Sequence, residues 1–204
     1  HGTVDFQSTS VDYVENVHVA NGGVAIFTGG QTGPNWTLDA IGAVGQSTVS
    51  VWTTSNLDLS GVSTGANWDA SGSRTEIFDD GVANSITIQG TQGKDWFYGK
   101  GGADNLHGNA GDDVFVYDTD ATLSGGELDG GAGTDELYVD IDTDFSALTT
   151  FTGMEELWFT SGNAATFGVN QLTGLGALDK IRGTTGAQTL TINGNSASPN
   201  YIDL

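Results

Sequence analysis

Short alternating apolar segments recur along the chain, and a glycine follows each of them. In the first segment, Val17 and Val19 flank His18 and precede Gly22. The same arrangement recurs at residues 57–61, 86–90, 157–162 and 190–194. A period of two predicts short β-strands with one buried face, and no sustained helical period with capping residues is present in the sequence. Because stacked strands can bury an apolar face that one strand cannot bury alone, the pattern predicts a parallel β-solenoid.

A longer repeat is superimposed on these short segments. Residues 153–159 resemble residues 13–19, 140 positions earlier, and residues 144–145 resemble residues 5–6. The sequence also begins with His1 rather than with methionine. We therefore expect the chain to be a piece of a longer repetitive protein.

Charge and composition narrow the range of partners. The chain has 26 Asp and Glu residues against 5 Lys and Arg residues, which gives a formal net charge of −21 at pH 7. Nucleic acids and anionic membranes require clustered basic residues, so we expect neither, and the natural small partners of this chain are cations. The absence of cysteine excludes disulfides and thiolate metal sites. No apolar run is long enough to predict a transmembrane helix.

Residues 90–138 follow a nine-residue period. Each unit has glycine at its first and fourth places, aspartate at its sixth place and a large apolar residue at its eighth place. The insertion Tyr117–Asp129, of 13 residues, separates the third unit from the fourth. The four units are residues 90–98, 99–107, 108–116 and 130–138.

Each unit has the composition of a tight turn followed by a short strand. Glycines permit the positive φ angles of a six-residue turn, and the last three residues point one apolar side chain inward. Stacked turns would bring main-chain carbonyls and aspartates together, and Ca²⁺ prefers these oxygen ligands. Because the aspartates would repel one another without a cation, metal binding and folding should be coupled. The inward residues expected to line a thin core are Phe97, Leu106, Phe115 and Leu137.

The four units resemble the RTX (haemolysin-type calcium-binding) nonapeptide repeat family. The resemblance implies a right-handed parallel β-roll in which a calcium ion lies between one turn and the next but one. It implies one ion shared through Asp95 and Asp113, another shared through Asp104 and Asp135, and about two to four ions in all. The carbonyl ligands that it implies are those of Gly90, Gln92, Gly99, Gly101, Gly108, Ala110, Gly130 and Ala132.

The sequence departs from the family pattern at several places. Thr91, Lys100 and Asn109 replace glycine at the second place of the first three units, and the insertion delays the fourth unit. Acidic residues beside the sixth-place aspartates or in the insertion are further candidate ligands. They are Asp112, Asp118, Asp120 and Asp129.

The segments on either side of the units resemble the coils that flank RTX blocks in large secreted S-layer and adhesin-type proteins. Together these features predict an all-β fold, a right-handed parallel β-solenoid with a central calcium-binding β-roll. We expect one continuous stack, with flanking coils in residues 1–89, the roll in residues 90–139 and a second copy of the flanking coils in residues 140–204.

The predicted function is structural rather than enzymatic. We expect a calcium-dependent, self-assembling segment of a secreted bacterial surface or extracellular-matrix protein, such as an S-layer, a filament or an adhesin stalk. Its expected partners are calcium and copies of itself, because the ends of a solenoid present unpaired strand edges. The family resemblance implies export by type I secretion, with folding triggered by calcium outside the cell.

Two other functions stay open on the sequence alone. A carbohydrate-binding or adhesin module would use an exposed row of Trp36, Trp52 and Trp68 to contact a surface glycan. A polysaccharide lyase or epimerase would need Arg74 or Arg182 to converge with acidic residues in a cleft.

Overall fold

The chain forms a parallel β-solenoid in the computed structural model, as the alternating apolar segments predict. Each described strand pairs with its sheet neighbours in parallel. Across the residues that the structure describes, no helix combines the length and the apolar character that a membrane crossing requires. The structure describes residues 2–8, 14–20, 22–32, 35–41, 46–79, 85–99, 102–118, 123–160, 162–169, 171 and 179–194.

The strands are short, and turns or loops connect them. One 3-10 helix, Gly29–Gln31, lies between the third and fourth strands. The first ten strands are Thr3–Asp5 (β1), Asn16–Ala20 (β2), Val24–Thr28 (β3), Thr37–Ile41 (β4), Thr48–Thr53 (β5), Leu57–Asp58 (β6), Ser63–Thr64 (β7), Arg74–Asp79 (β8), Thr87–Gln89 (β9) and Asp95–Tyr98 (β10). The next ten are Asn105–His107 (β11), Val114–Tyr117 (β12), Glu127–Asp129 (β13), Glu136–Val139 (β14), Thr143–Asp144 (β15), Thr150–Thr152 (β16), Glu156–Phe159 (β17), Ala164–Gly168 (β18), Lys180–Gly183 (β19) and Thr189–Asn193 (β20).

Successive strands of the chain belong to different sheets, which is how the chain winds. The largest sheet has nine strands in the order β1-β3-β5-β8-β10-β12-β14-β17-β19. A five-stranded sheet has the order β16-β13-β11-β9-β6, and two three-stranded sheets have the orders β15-β18-β20 and β2-β4-β7. The first three nonapeptide units alternate between the nine-stranded and five-stranded sheets, in agreement with a β-roll.

The apolar residues at the eighth place of each unit form the core of the roll, as predicted. Phe97, Leu106, Phe115 and Leu137 are each at most 1 % exposed. The rings of Phe97 and Phe115 stack with their centroids 4.7 Å apart, because these residues are partners in the register of β10 and β12. The place-eight residues therefore stabilise the roll by burial and by stacking along the solenoid axis.

The two similar parts of the chain fold alike. The side-chain amide of Gln31 donates a hydrogen bond to the carbonyl of Phe6, at 2.7 Å. The side-chain amide of Gln171, 140 residues later, donates in the same way to the carbonyl of Phe145, also at 2.7 Å. Each of these two phenylalanines stacks on a phenylalanine of the following coil with a centroid distance of 5.0 Å. The sequence similarity at this spacing thus corresponds to a repeated packing arrangement.

A ladder of aromatic rings covers part of the outer face of the nine-stranded sheet. Trp52, Phe78 and Tyr98 stack in register, with centroid distances of 4.4 and 4.6 Å. Further along the same face, Tyr138 stacks on Trp158 at 5.5 Å. Because these rings lie face to face along the stacking direction, they support their neighbouring strands rather than presenting a row of open ring faces.

Candidate calcium site

Three nonapeptide turns lie over one another at one edge of the nine-stranded sheet. They are residues 90–95, 108–113 and 130–135, which lead into the adjacent strands β10, β12 and β14. The second and third turns are hydrogen-bonded directly, because Ala132 donates its N–H to Asn109 at 2.9 Å and accepts from Gly111 at 3.0 Å. The sheet order therefore fixes which turns face each other.

Glycine is required where these turns touch. Gly111 and Gly133 have φ angles of 126° and 152°, a conformation that other residues rarely adopt. A Cβ atom on Gly111 would lie 2.5 Å from the carbonyl oxygen of Gly93 in the preceding turn. A Cβ atom on Gly133 would overlap the carbonyl oxygen of Gly111. The fourth-place glycines therefore permit backbone-to-backbone stacking of the turns.

A row of carboxylates runs through the stacked turns. The N–H of Asp95 donates to Oδ1 of Asp113 at 2.8 Å, and the N–H of Asp113 donates to Oδ1 of Asp135 at 2.8 Å. The N–H of Asp135 donates to Oε2 of Glu155 at 2.7 Å. All three aspartates are 0 % exposed. The carboxylates of Asp113, Asp135 and Glu155 thus each accept an N–H from the turn before them, and the row ends at a glutamate outside the repeats.

The remaining oxygens of two aspartates have no hydrogen-bond partner. Oδ2 of Asp113 and Oδ2 of Asp135 are buried and unpaired. A Cβ atom on Gly108 would overlap both Oδ2 of Asp113 and the carbonyl oxygen of Gly130, so these two oxygens converge on one space. Buried anionic oxygens without a partner are rare in proteins, and converging carboxylate and carbonyl oxygens are what Ca²⁺ binds. The residues present therefore fit a calcium ion.

The first turn differs because its polar groups are satisfied within the protein. Thr91 donates its N–H to Oδ2 of Asp95 at 2.6 Å, and its hydroxyl lies 3.0 Å from each oxygen of the same carboxylate. The side-chain amide of Asn109 donates to the carbonyl of Gly90 at 2.8 Å. Thr91 and Asn109 stand where the repeat has glycine. Their side chains thus occupy two oxygen groups that the sequence predicts as calcium ligands.

Burial raises the pKa of each aspartate in the row above its ordinary value. For Asp113 the nearby charge of Asp95 adds to the effect of burial on the pKa. The pKa of Asp95 is also raised by burial, against the opposing effect of its hydrogen bonds with Thr91. Burial raises the pKa of Asp135 to about 7, with a contribution from Glu155. The metal-free row therefore holds protons more tightly than exposed aspartates do, and a cation would remove this penalty on ionisation.

The expected pairing of the second unit with the fourth is wrong. Asp104 precedes β11, which pairs with β9 and β13 in the five-stranded sheet, whereas Asp135 precedes β14 in the nine-stranded sheet. The reason is that the insertion supplies β13, which takes the place beside β11 that the fourth unit was expected to occupy. Oδ1 of Asp104 instead accepts the N–H of Ile86 at 3.0 Å, and burial raises the pKa of Asp104.

The other predicted ligands are divided among several places. The carboxylate of Asp112 accepts the N–H of Thr134 at 2.9 Å, and that of Asp129 accepts the hydroxyl of Thr152 at 3.0 Å. Asp118 is exposed. Gly99 lies with Asp104 in the turn between β10 and β11, and Gly101 and Asp120 lie outside the described residues. The predicted carbonyl groups in the three stacked turns are those of Gly90, Gln92, Gly108, Ala110, Gly130 and Ala132.

Glu155 is not among the predicted calcium ligands, although its spacing carries a signal. The hydrogen bonds of the carboxylate row join residues 18, 22 and 20 positions apart, so Glu155 follows Asp135 at a similar interval. Within the described ranges, no cluster of three or more Asp, Glu or His side chains has the arrangement of a metal site. A calcium site at this edge must therefore use main-chain oxygens together with the carboxylates.

Comparison with known proteins agrees with this geometry. Residues 87–121 match the RTX calcium-binding nonapeptide repeat family (4 copies). This segment is therefore similar to RTX calcium-binding repeats. The match covers the first three units and ends before the fourth. The comparisons give no support for the expected resemblance to S-layer and adhesin-type proteins. RTX repeats bind Ca²⁺, and the proteins that contain them are typically secreted. No curated protein and no solved structure matches the chain.

The residues considered for glycan binding or enzymatic activity lie in the following surroundings. Trp36 and Trp68 are only 4 % and 7 % exposed, so they do not form an exposed row with Trp52. Arg74 pairs with Glu76 at 2.6 Å and lies over a tryptophan ring. Arg182 likewise pairs with a glutamate, at 3.0 Å, and lies over a second tryptophan ring.

Proposed function

We propose that the chain is a calcium-dependent structural and self-assembling segment of a secreted bacterial surface or extracellular-matrix protein. The observation that supports this proposal most strongly is the buried carboxylate row with its two unpaired oxygens. This row lies inside a continuous stack of parallel strands. A cation-binding group in that position controls folding rather than a reaction, because the strands on both sides depend on its turns.

The chemistry of calcium dependence follows from charge and burial. When bound, Ca²⁺ supplies positive charge and accepts several oxygen ligands. The carboxylate of Asp113 and the carbonyl of Gly130 would hold it. Without the cation, the ionised carboxylates lie in a buried row in a chain of net charge −21, which opposes folding. The roll would then be less stable where calcium is scarce and would become fully folded after export.

Self-assembly is supported by the two outermost strands of the nine-stranded sheet in the part of the chain that the structure describes. Val4 in β1, at one edge, is 53 % exposed, and Ile181 in β19, at the other edge, is 41 % exposed. Edge strands carry unpaired N–H and C=O groups that can pair with another chain. Exposed apolar side chains on both edges would make end-to-end contact between copies favourable.

A calcium titration after chelation tests this proposal. Far-UV circular dichroism and light scattering would be recorded together as calcium is added to the chelator-treated chain. We expect the β-signal and the scattering to rise together. A β-signal that rises without scattering would contradict self-assembly, and the absence of any transition would contradict calcium-dependent folding.

A second candidate function, glycan binding, is favoured by one cleft. This cleft, of about 520 Å³, lies on the outer face, where Trp52 stacks on Phe78 on one side and has Thr28 as its strand neighbour on the other. One face of the ring therefore adjoins small polar groups, which suits a neutral sugar. The residues lining the cleft are Gln7, Thr28, Gly29, Gly30, Trp52, Thr53, Thr54 and Ser55.

Tryptophan fluorescence during titration with neutral oligosaccharides tests this second function. Trp52→Ala should abolish any change in fluorescence on binding, whereas Trp158→Ala, in the second part of the aromatic ladder, should retain it. Binding that survives in Trp52→Ala, or no binding to the wild-type chain, would rule out this cleft as a glycan site.

A further inference from the structure

The turn that precedes β17 continues the stack beyond the nonapeptide units. This turn, Gly153–Glu155, has no nonapeptide pattern and lies outside the matched RTX residues. Its neighbour is nevertheless the turn of the fourth unit, because the N–H of Gly130 donates to the carbonyl of Thr152 at 3.0 Å. The N–H of Glu155 donates to the carbonyl of Asp135 at 3.0 Å, and the Glu155 carboxylate accepts the N–H of Asp135. The flanking coil is thus joined to the roll in both directions.

The space beside Gly130 has the same composition as the space beside Gly108. At Gly108, the Oδ2 atom of Asp113 converges with the carbonyl oxygen of the next turn. At Gly130, a Cβ atom would lie 2.5 Å from Oδ2 of Asp135 and would overlap the carbonyl oxygen of Gly153. In both places the Oδ2 atom is buried and has no hydrogen-bond partner. The unpaired carboxylate oxygen of the fourth unit therefore faces the flanking coil.

Among the described residues, no Lys or Arg forms an ion pair with the carboxylates near Gly130. Asp129 lies close to Gly153, with its Oδ1 atom 3.3 Å from the position of a Cβ atom on that glycine. None of the described Lys or Arg ion pairs includes Asp129, Asp135 or Glu155, since those pairs use other glutamates. His107 lies 3.9 Å from Oδ2 of Asp129, on the opposite side of this residue from its bond with the flanking coil. A buried carboxylate without a counter-charge points to a bound cation.

We propose that a calcium site lies between the turn of the fourth unit and the flanking coil, with Oδ2 of Asp135, the Gly153 carbonyl and the Glu155 carboxylate among its ligands. The inference rests on the proposed calcium-binding function of the roll. Carboxylate and main-chain carbonyl oxygens are the ligand types that Ca²⁺ prefers, and two carboxylates balance its charge. The site would couple the order of the coils after the roll to calcium.

The variant Glu155→Gln distinguishes a calcium ligand at position 155 from a residue that only holds the two turns together. Glutamine keeps a side-chain carbonyl that can accept the N–H of Asp135, but it removes the charge that a calcium ligand needs. Glu136→Gln is the matched control, because Glu136 lies on β14 beside the same turn but on the outward face of the sheet. Both variants lose one negative charge, so a general effect of net charge would be the same in both.

Calorimetric titration with Ca²⁺, together with thermal denaturation, tests the site. We expect Glu155→Gln to bind one calcium ion fewer than the wild type and to show a smaller rise in Tm on adding calcium, with its Tm in chelator maintained. Glu136→Gln should behave as the wild type does. Equal calcium binding by Glu155→Gln and the wild type, or an equal loss of Tm with and without calcium, would overturn the inference. A wild-type chain that binds no calcium would instead overturn the proposed function.

Discussion

The N–H of Asp113 donates a hydrogen bond to Oδ1 of Asp135, at 2.8 Å, across two stacked turns. The bond uses one oxygen of the carboxylate to hold the turns together and leaves Oδ2 of Asp135 buried and unpaired. The carboxylate of Asp113 is divided in the same way. Its Oδ1 atom accepts the N–H of Asp95 in the preceding turn, and its Oδ2 atom is buried and unpaired. A single side chain therefore aligns the turns and also requires a cation, which links the solenoid geometry to calcium.

Asp113→Asn should uncouple these two roles. The amide oxygen of asparagine can still accept the N–H of Asp95, while the amide N–H₂ group would face the carbonyl oxygen of Gly130. We expect the variant to bind calcium more weakly and, in chelator, to gain on the order of 1–3 kcal/mol in the free energy of unfolding. Urea denaturation with chelator and with calcium measures both effects. A variant that loses stability in chelator and binds calcium normally would contradict this assignment.

The stability of the metal-free chain should fall as the pH rises. Burial raises the pKa of Asp135 from 3.8 to about 7, so the folded state holds a proton that the unfolded state has already released. The bound proton on Asp135 stabilises the folded state fully below about pH 4, and this stabilisation is lost as the pH rises through about 7. We therefore expect denaturation in chelator at pH 5 to need more urea than at pH 8, and Asp135→Asn to reduce this difference. Stability that increases from pH 5 to pH 8 would contradict the raised pKa.

Calcium and protons should compete for the same oxygens. Because the carboxylates must be ionised to bind the metal, we expect calcium affinity to decrease as the pH is lowered below about 7. Calorimetric titrations at about pH 6 and about pH 8, roughly one unit on either side of this midpoint, measure the change. An affinity that does not change with pH would mean that the bound calcium does not use the buried carboxylates.

Glycine in place of Thr91 and Asn109 should make two oxygen groups of the first turn available to calcium. In the double variant Thr91→Gly/Asn109→Gly, the carboxylate of Asp95 loses the threonine hydroxyl and the carbonyl of Gly90 loses the asparagine amide. We expect one additional calcium ion or tighter overall binding in an equilibrium dialysis experiment. Thr87→Ala, on the outward face of β9, serves as the control for a change of threonine. Unchanged binding would show that Thr91 and Asn109 do not prevent calcium binding at the first turn.

Gly133→Ala should prevent the second and third turns from stacking. Its φ angle of 152° is strained for alanine, and the new Cβ atom would overlap the carbonyl oxygen of Gly111. We expect a loss of more than about 2 kcal/mol in the free energy of unfolding, from the strained backbone and the lost packing. Gly30→Ala is a suitable control, because a Cβ atom there would meet no atom within 4 Å. Thermal denaturation in calcium compares the two variants, and equal stability would contradict the close stacking.

The sequence period predicts the core and the turns well because both depend on local spacing. Phe97 and Leu106 are nine residues apart, and this spacing places each of them inside the coil at the end of one turn and strand. The first-place and fourth-place glycines follow from the same period. In this chain each unit buries its eighth place, so this part of the prediction depends only on the spacing within the repeat.

The neighbours of each turn were harder to predict because they depend on how many strands lie between two units. The insertion contains one complete strand in the described residues, β13, and this strand fills one place in the five-stranded sheet. Asp135 consequently lies beside Asp113 rather than Asp104. Glu155 enters the row for the same reason, because its coil follows the fourth unit with nearly the same spacing although it lacks the motif.

The most direct test of a calcium-dependent roll is hydrogen exchange followed by mass spectrometry, with the chelated and calcium-loaded chains compared peptide by peptide. We expect the backbone amides of residues 90–135 to exchange rapidly in chelator and to become protected when calcium is added, since Asp95, Asp113 and Asp135 donate their amides within the row. Amides in this segment that are already protected in chelator, with no further change in calcium, would contradict the account.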